Sequence, residues 1–278
     1  MFTTFSVEDK KLTGIKKLFS FFYKDKLIEN YIDGKNIAIR RLTYINYRDK
    51  INWKEVYNQA GSQAGCLVCS DKIHFPENSG LGRFYDNSFA KKMTCNFGYQ
   101  TLKLMENPQK LNVAFIDADG SEREFLWKLC PITDNLVVVT GNREKYGIIA
   151  EELMEKLGVS LVITNRLTRI READLVIAPC TIQKVIDLNK KAVVLTSEKP
   201  LVDLPSLCYW NYTCTLSEEY RRLMDEDMDE MYFASALYSK GRKYFLGEIV
   251  PKVAYNENST GTVKSLGKYL DNLTVLIS

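Results

Sequence analysis

The chain reads as an α/β protein built on a doubly wound, mostly parallel sheet, with a second, smaller α/β domain preceding it. Three observations predict this. Between 111 and 197, short apolar runs alternate with helical or polar segments, which is the order of a parallel sheet with crossover connections. Those runs are continuously apolar, as strands buried on both faces are. Ahead of them, 1–107 carry helical and strand patterns of their own, and 278 residues suffice for two domains.

In the first part, Leu12, Ile15, Leu18, Phe19, Phe22, Leu27, Ile28 and Tyr31 recur at helical steps among lysines, so Val7 to Ile32 is expected to form one amphipathic helix or two. A basic helix also suits a membrane surface, but Glu8, Asp9, Asp25 and Glu29 share the polar side, and core packing is the reading adopted. Asn36 to Leu42 alternates as a strand does, Trp53 to Ala60 reads as a short helix, and Cys66 to Cys69 reads as a short buried strand. After a turn cluster over Pro76 to Gly82, Ser88 to Met105 places Phe89, Met93, Phe97, Leu102 and Met105 at helical spacing. A boundary is expected near 107, at Asn107-Pro108-Gln109-Lys110.

The region 108–200 is the most regular. Asn112 to Ile116 is the first strand, followed by a polar turn and a helix through Phe125, Leu126 and Leu129; Leu136 to Val139 is the second. Glu144 to Leu157 forms an amphipathic helix that Gly158 ends as a left-handed cap, and Val159 to Ile163 returns as the third strand. Ala173 to Ala178 is the fourth strand, a short helix spans Ile182 to Leu188, and Ala192 to Leu195 is the fifth. Beyond Pro200 the regularity stops, and 201–278 is expected to be mainly helical. The acidic run Asp225 to Glu230 is read as a solvated helix face ahead of Met231, Phe233, Leu237 and Tyr238, with metal binding as its alternative. Ser259 or Thr260 is expected to cap a helix over Val263 to Leu270.

Composition narrows the classes. Apolar content of 45% with 12% aromatics supports a packed core and argues against disorder. Because 38 basic residues face 35 acidic ones, the net charge of +3 makes no field of the strength nucleic-acid binding requires. No apolar run is long enough for a membrane span, and Met1 to Lys11 lacks a signal-peptide pattern, so a cytoplasmic protein is expected. The 7 cysteines are odd in number and point to free thiols. Cys66 and Cys69 have C-x-x-C spacing without the helix a redox motif opens, and the single histidine, His74, lacks the partners of a zinc site. No metal site is expected.

Open parallel sheets bind ligands beyond the carboxyl ends of their strands, where the winding reverses, and the first turn carries glycines that let backbone N–H groups approach a diphosphate. Here that turn is Asp117-Ala118-Asp119-Gly120-Ser121-Glu122. Laid over G-x-G-x-x-G, two glycine positions are aspartates, and Gly120 alone survives near its expected place. Each carboxylate facing a diphosphate would cost on the order of 1 kcal/mol or more in repulsion. Gly141, Asn142 and Arg143 follow the second strand, and an arginine there suits a ribose phosphate because its planar fork can hold two oxygens. Cys180, after Ala178 and Pro179 at the end of the fourth strand, is expected at the cleft mouth, as a spectator or a reactive thiol. A second loop register, Thr140 to Gly147 with Asn165-Arg166 as reader, leaves too few residues before Ala173 and is rejected.

The order strand, loop, helix, strand, Asn142-Arg143, then Ala173-Asp174-Leu175-Val176-Ile177-Ala178-Pro179 resembles the Rossmann-like NADP-binding domain of shikimate dehydrogenases and glutamyl-tRNA reductases. The resemblance implies a two-domain protein with NAD or NADP held by Asp117, Ala118, Asp119, Gly120, Ser121, Gly141, Asn142, Arg143, Ala178, Pro179 and Cys180. The ligand would lie between the N-terminal domain and the sheet. No N-V-T-x-P-x-K segment occurs in the first hundred residues, Lys91 and Lys92 lie in unlike surroundings, and none of Cys66, Cys69 or Cys95 has a reductase nucleophile's context. No catalytic residue is carried over. Two functions follow: an NAD(P)-dependent oxidoreductase, or a non-catalytic binder of a small metabolite or nucleotide with a degenerate cofactor site. A small-molecule ligand is expected in either case, with no nucleic-acid or membrane partner, and a homodimer is left open.

Overall fold

The computed structural model describes all residues except 11–22, 35–36, 49, 243–245 and 276–278. It divides into two compact units, Met1–Asp86 with Leu216–Lys243, and Asn87–Thr215 with Tyr244–Ser278. The sequence boundary near 107 therefore falls inside the second unit, which takes in the helix 88–103, and the third expected segment is shared between the two.

The first unit is organised by β3 (Ile37–Asn46), which pairs in parallel with β1 (Phe2–Asp9) and antiparallel with β2 (Lys26–Gly34). These strands correct the helix expected over Val7 to Ile32 at both of its ends, while 11–22 lie outside the described residues. The physical reason is non-local. β3 offers two free edges, and the ladder bonds that β1 and β2 make with it outweigh a helical spacing of apolar residues. Helix α1 (Trp53–Ala60) forms as expected, its first turn capped by the Asn52 side chain, which accepts the Glu55 N–H. Cys66 ends a 3-10 segment instead of opening a strand, and only Leu67 and Val68 make single bridges, to Arg83 and Thr4. Burial pushes the Cys69 thiol up to about 11.

The acidic run is not a helix face. Asp225 pairs with Arg41 at 3.0 Å with its side chain only 12% exposed. Asp229 accepts the Tyr232 N–H as N-cap of the helix Glu230–Leu237.

The second unit is built on a six-stranded sheet. It opens with helix α2 (Ser88–Lys103) and continues through β4 (Asn112–Ile116), β5 (Asn135–Val139), helix α3 (Arg143–Leu157), β6 (Val162–Thr164), β7 (Leu175–Ala178), β8 (Val193–Thr196) and β9 (Leu207–Tyr209). The sheet order is β6-β5-β4-β7-β8-β9, and every pair is parallel. Numbered from its own first strand, this is 3-2-1-4-5-6, the doubly wound order whose winding reverses between β4 and β7. The last strand lies in the stretch expected to be mainly helical. So do β10 (Asn211–Thr213), β11 (Val253–Tyr255) and β12 (Thr260–Thr262), which form a small antiparallel sheet. Strands of three residues are too short to show a period in sequence. Helix α4 (Val263–Val275) follows, capped by Thr262, whose Oγ1 accepts the Ser265 N–H, in place of Ser259 or Thr260.

Both faces of the sheet are covered. Val113, Phe115, Ile177 and Leu195 are buried on one face, where α2 packs with Gly98 against β7 and β8. A Cβ at Gly98 would stand 2.6 Å from Ile177 Cδ1. Ala114, Ile116, Val176, Ala178 and Val194 form the other core with Ile170, Ile182, Ile186 and Leu188. The helix expected over Ile182 to Leu188 is absent, and these apolar side chains are laid on the sheet from a loop. Among the described residues, no helix is long and apolar enough to cross a membrane.

Candidate functional site

A cavity of about 360 Å³ opens at the carboxyl ends of the strands, at the winding reversal, lined by Ile116, Ala118, Val139, Thr140, Gly141, Asn165, Leu167 and the 180–186 loop. Its walls are apolar where Ile116, Val139, Leu167, Ile182 and Ile186 face it, with Thr140, Asn165, Thr181 and Gln183 as hydrogen-bonding groups. Among the described residues, Lys184 is its one formally charged lining residue. The size and the balance of apolar wall to sparse polar groups suit a small organic ligand.

The geometry of β4 and β5 sets this edge. Asp117 N–H donates to the Val139 carbonyl, Gly141 N–H to the Ala118 carbonyl, and Thr140 N–H to the Thr164 carbonyl, so three loops are laced together just past the strands. Thr140 Oγ1 accepts the Asn142 N–H and Thr164 Oγ1 the Arg166 N–H, forming the same turn at the ends of β5 and β6. Gly141 eases the close approach, since a Cβ there would lie 3.2 Å from the Ala118 carbonyl oxygen, tighter than an ordinary contact.

The loop after β4 differs from a phosphate cradle in who uses its N–H groups. Asp117 is fully buried, and its Oδ2 accepts the Tyr146 hydroxyl at 2.7 Å and the Glu122 N–H at 2.9 Å. Burial pushes its carboxyl above the ordinary value despite those two donors. Asp119 Oδ1 accepts the Ser121 N–H at 3.0 Å, and its Oδ2 accepts Lys91 Nζ at 2.9 Å. Lys91 Nζ also reaches Ser121 Oγ, and Lys145 Nζ the Asp119 carbonyl. Glu122 pairs with Lys92. Gly120 adopts φ 72°, the left-handed conformation that turns the chain back toward α3. Three carboxylates and three ammonium groups thus fill the corner where a diphosphate would need bare amides.

Ala118, Gly141 and Cys180 line the cavity, whereas Ala178 and Pro179 are buried behind it. Asn142 is the N-cap of α3, accepting the Lys145 N–H. Arg143, at the first position of that helix, donates to Asn165 Oδ1 at 3.3 Å and so stands at the rim through a cavity-lining side chain. Cys180 directs its Sγ to the Ile116 carbonyl at 3.4 Å, and burial pushes its thiol up to about 11, which disfavours the thiolate a nucleophile requires.

Sequence reasoning missed Tyr146, Lys145, Thr140 and Asn165 as members of the site. All four fell within the rejected second register, Thr140 to Gly147 with Asn165-Arg166; Thr140 and Asn165 line the same cavity because β6 lies beside β5. Tyr146 gave no signal of its own among charged and aliphatic neighbours on a helix.

No family model matches the chain, and no curated protein matches it. Among solved structures, it is similar to Δ1-pyrroline-2-carboxylate reductase of Thermococcus litoralis, solved with NADH and L-proline. That match has 19% identity and a TM-score of 0.30, over 41% of this chain and 37% of the reductase. It is also similar to L-tryptophan dehydrogenase of Nostoc punctiforme, with 12% identity and a TM-score of 0.33, over 98% of this chain and 81% of the dehydrogenase. On its own strand order, connections and cleft, the second unit is a Rossmann-like, doubly wound α/β domain.

Proposed function

We propose that the second unit binds a nucleotide at the winding reversal, NAD or NADP in the first instance. The nucleoside end would fill the cavity and Arg143 would face the ribose. The single observation that carries this reading is the cavity itself. It lies between the ends of β4, β5 and β7 in a 3-2-1-4-5-6 sheet, where such folds take their ligands, and its apolar walls and sparse polar groups fit a flat heterocycle. On this reading the activity is an NAD(P)-dependent oxidation or reduction of a small molecule, with the cofactor supplying the hydride chemistry and the protein its position.

A second reading, a non-catalytic nucleotide or metabolite sensor, is favoured by the carboxylates that hold the loop amides. Thermal unfolding with adenosine, AMP, NAD, NADP and S-adenosylmethionine tests the first: a ligand at a hundred times its Kd adds roughly 2.7 kcal/mol of stability. Stabilisation by a dinucleotide together with hydride transfer supports the oxidoreductase. Stabilisation by adenosine or AMP without transfer supports the sensor. Silence from all of them overturns nucleotide binding.

A further inference from the structure

The two aspartates of the loop after β4 differ in character. Asp117 is fully buried and tied to Tyr146 and to the Glu122 N–H, so it belongs to the framework. The Asp119 side chain is 61% exposed, yet both of its carboxylate oxygens have donors: the Ser121 N–H on Oδ1 and Lys91 Nζ on Oδ2. The Lys91 side chain is only 14% exposed, and its Nζ also meets Ser121 Oγ. Lys145 Nζ lies 3.4 Å from the Asp119 carbonyl oxygen. Two ammonium groups, a hydroxyl and a backbone N–H are the donors that hold a phosphate, and here they converge on one aspartate. Burial opposes the charge on Asp119, but the bonds from Lys91 and Ser121 hold its carboxyl well below the ordinary range, so it stays an anion. The neighbouring residue, Ala118, is already part of the cavity wall.

We infer that Asp119 is a built-in anion occupying the subsite of a ligand's phosphate group, and that a phosphate-bearing ligand must turn this carboxylate out to solvent to gain Lys91 and Ser121. The subsite exists but is contested from within the chain. Asp119 therefore sets selectivity, since it lowers affinity for the phosphorylated form of a ligand and leaves the unphosphorylated form untouched. Its exposure makes the exchange feasible, because a carboxylate leaving Lys91 is rehydrated as it goes. Asp117 has no such freedom. The choice of nucleotide as the ligand rests on the reading proposed above, whereas the role of Asp119 does not.

The test compares adenosine with AMP, and pyrophosphate alone, on the full chain and on Asp119→Ala and Asp119→Asn by calorimetry. The expected result is an unchanged Kd for adenosine and a Kd for AMP lowered about tenfold or more in Asp119→Ala, as a regained charge-assisted bond would give. Asp119→Asn, which keeps an acceptor for the Ser121 N–H but drops the charge, should fall between. Lys91→Met placed on Asp119→Ala should remove the gain. An AMP-to-adenosine ratio that is the same in all three proteins overturns the inference. If adenosine and AMP bind none of them, the nucleotide reading fails, and pyrophosphate decides: binding gained in Asp119→Ala and lost again with Lys91→Met upholds the role of Asp119, and no gain overturns it. Circular dichroism checks that the variants are folded.

Discussion

The Tyr146 hydroxyl donates to Asp117 Oδ2 at 2.7 Å, joining the first turn of α3 to the loop after β4 with both groups buried. Burial and the neighbouring carboxylate raise the Tyr146 hydroxyl well above its ordinary pKa, so it stays a donor across the working pH range. Asp117 Oδ2 takes both the Tyr146 and the Glu122 donors, which anchor the carboxylate in the loop. Tyr146→Phe should therefore cost about 1–3 kcal/mol, the usual penalty for stranding a buried polar group. Chemical denaturation measures it, and a midpoint equal to wild type would show that this bond does not hold the loop.

Asp117 also predicts a pH dependence. Its folded pKa lies above 3.8, so the folded state binds the proton more tightly than the unfolded one. The associated stability is present in full at the lowest pH and is lost as pH rises from 3.8 through the folded value. Asp117→Asn keeps an acceptor for Tyr146 and removes the titration, so the variant should gain on wild type across that window. Equal slopes of stability against pH in the two proteins would contradict the assignment.

Arg143 at the start of α3 should read a ribose phosphate if NADP is the ligand. Arg143→Ala should then raise the Kd for NADP roughly tenfold, in line with the loss of one charge-assisted contact, with NAD unaffected. Titration calorimetry with both cofactors decides it. A loss shared equally by NAD and NADP would mean that the residue acts only through Asn165, whose Oδ1 it holds.

Gly98 lets α2 lie on the sheet. An added Cβ would stand 2.6 Å from Ile177 Cδ1 and 2.8 Å from its Cγ1, closer than packed carbons approach. Overpacking of about 1–3 kcal/mol opposes the gain of up to ~1 kcal/mol that alanine brings to a helix interior. Gly98→Ala should be net destabilising, and adding Ile177→Val, which removes Cδ1, should recover part of the loss. Thermal midpoints of the single and double variants test this.

In the first unit, Glu29 accepts bonds from Arg40, Tyr31 and Gln59, and these hold its carboxyl down to about 2 from 4.5. A depressed carboxylate stabilises the fold above its unfolded pKa. The contribution is complete above pH 4.5 and is lost as pH falls towards 2. Glu29→Gln should consequently lie closest to wild type at low pH and furthest from it near neutrality. A carboxyl NMR titration centred near 4.5 would overturn the reading.

The sequence by itself determined the doubly wound core. Continuous apolar runs at β4, β5, β7 and β8, with Gly158 stopping α3, carry their meaning locally, because burial on both faces leaves no polar alternation. It also located the loop after β4 and flagged its two aspartates. The tertiary structure decided what those aspartates do: Lys91, 28 residues before Asp119, and Tyr146, well beyond in α3, are brought to the loop by helix packing that no local spacing encodes. It decided the N-terminal strands as well. Leu27, Ile28 and Tyr31 have helical spacing, yet β3 offers a free edge, and backbone ladder bonds to a distant partner outweigh a periodicity read within one segment.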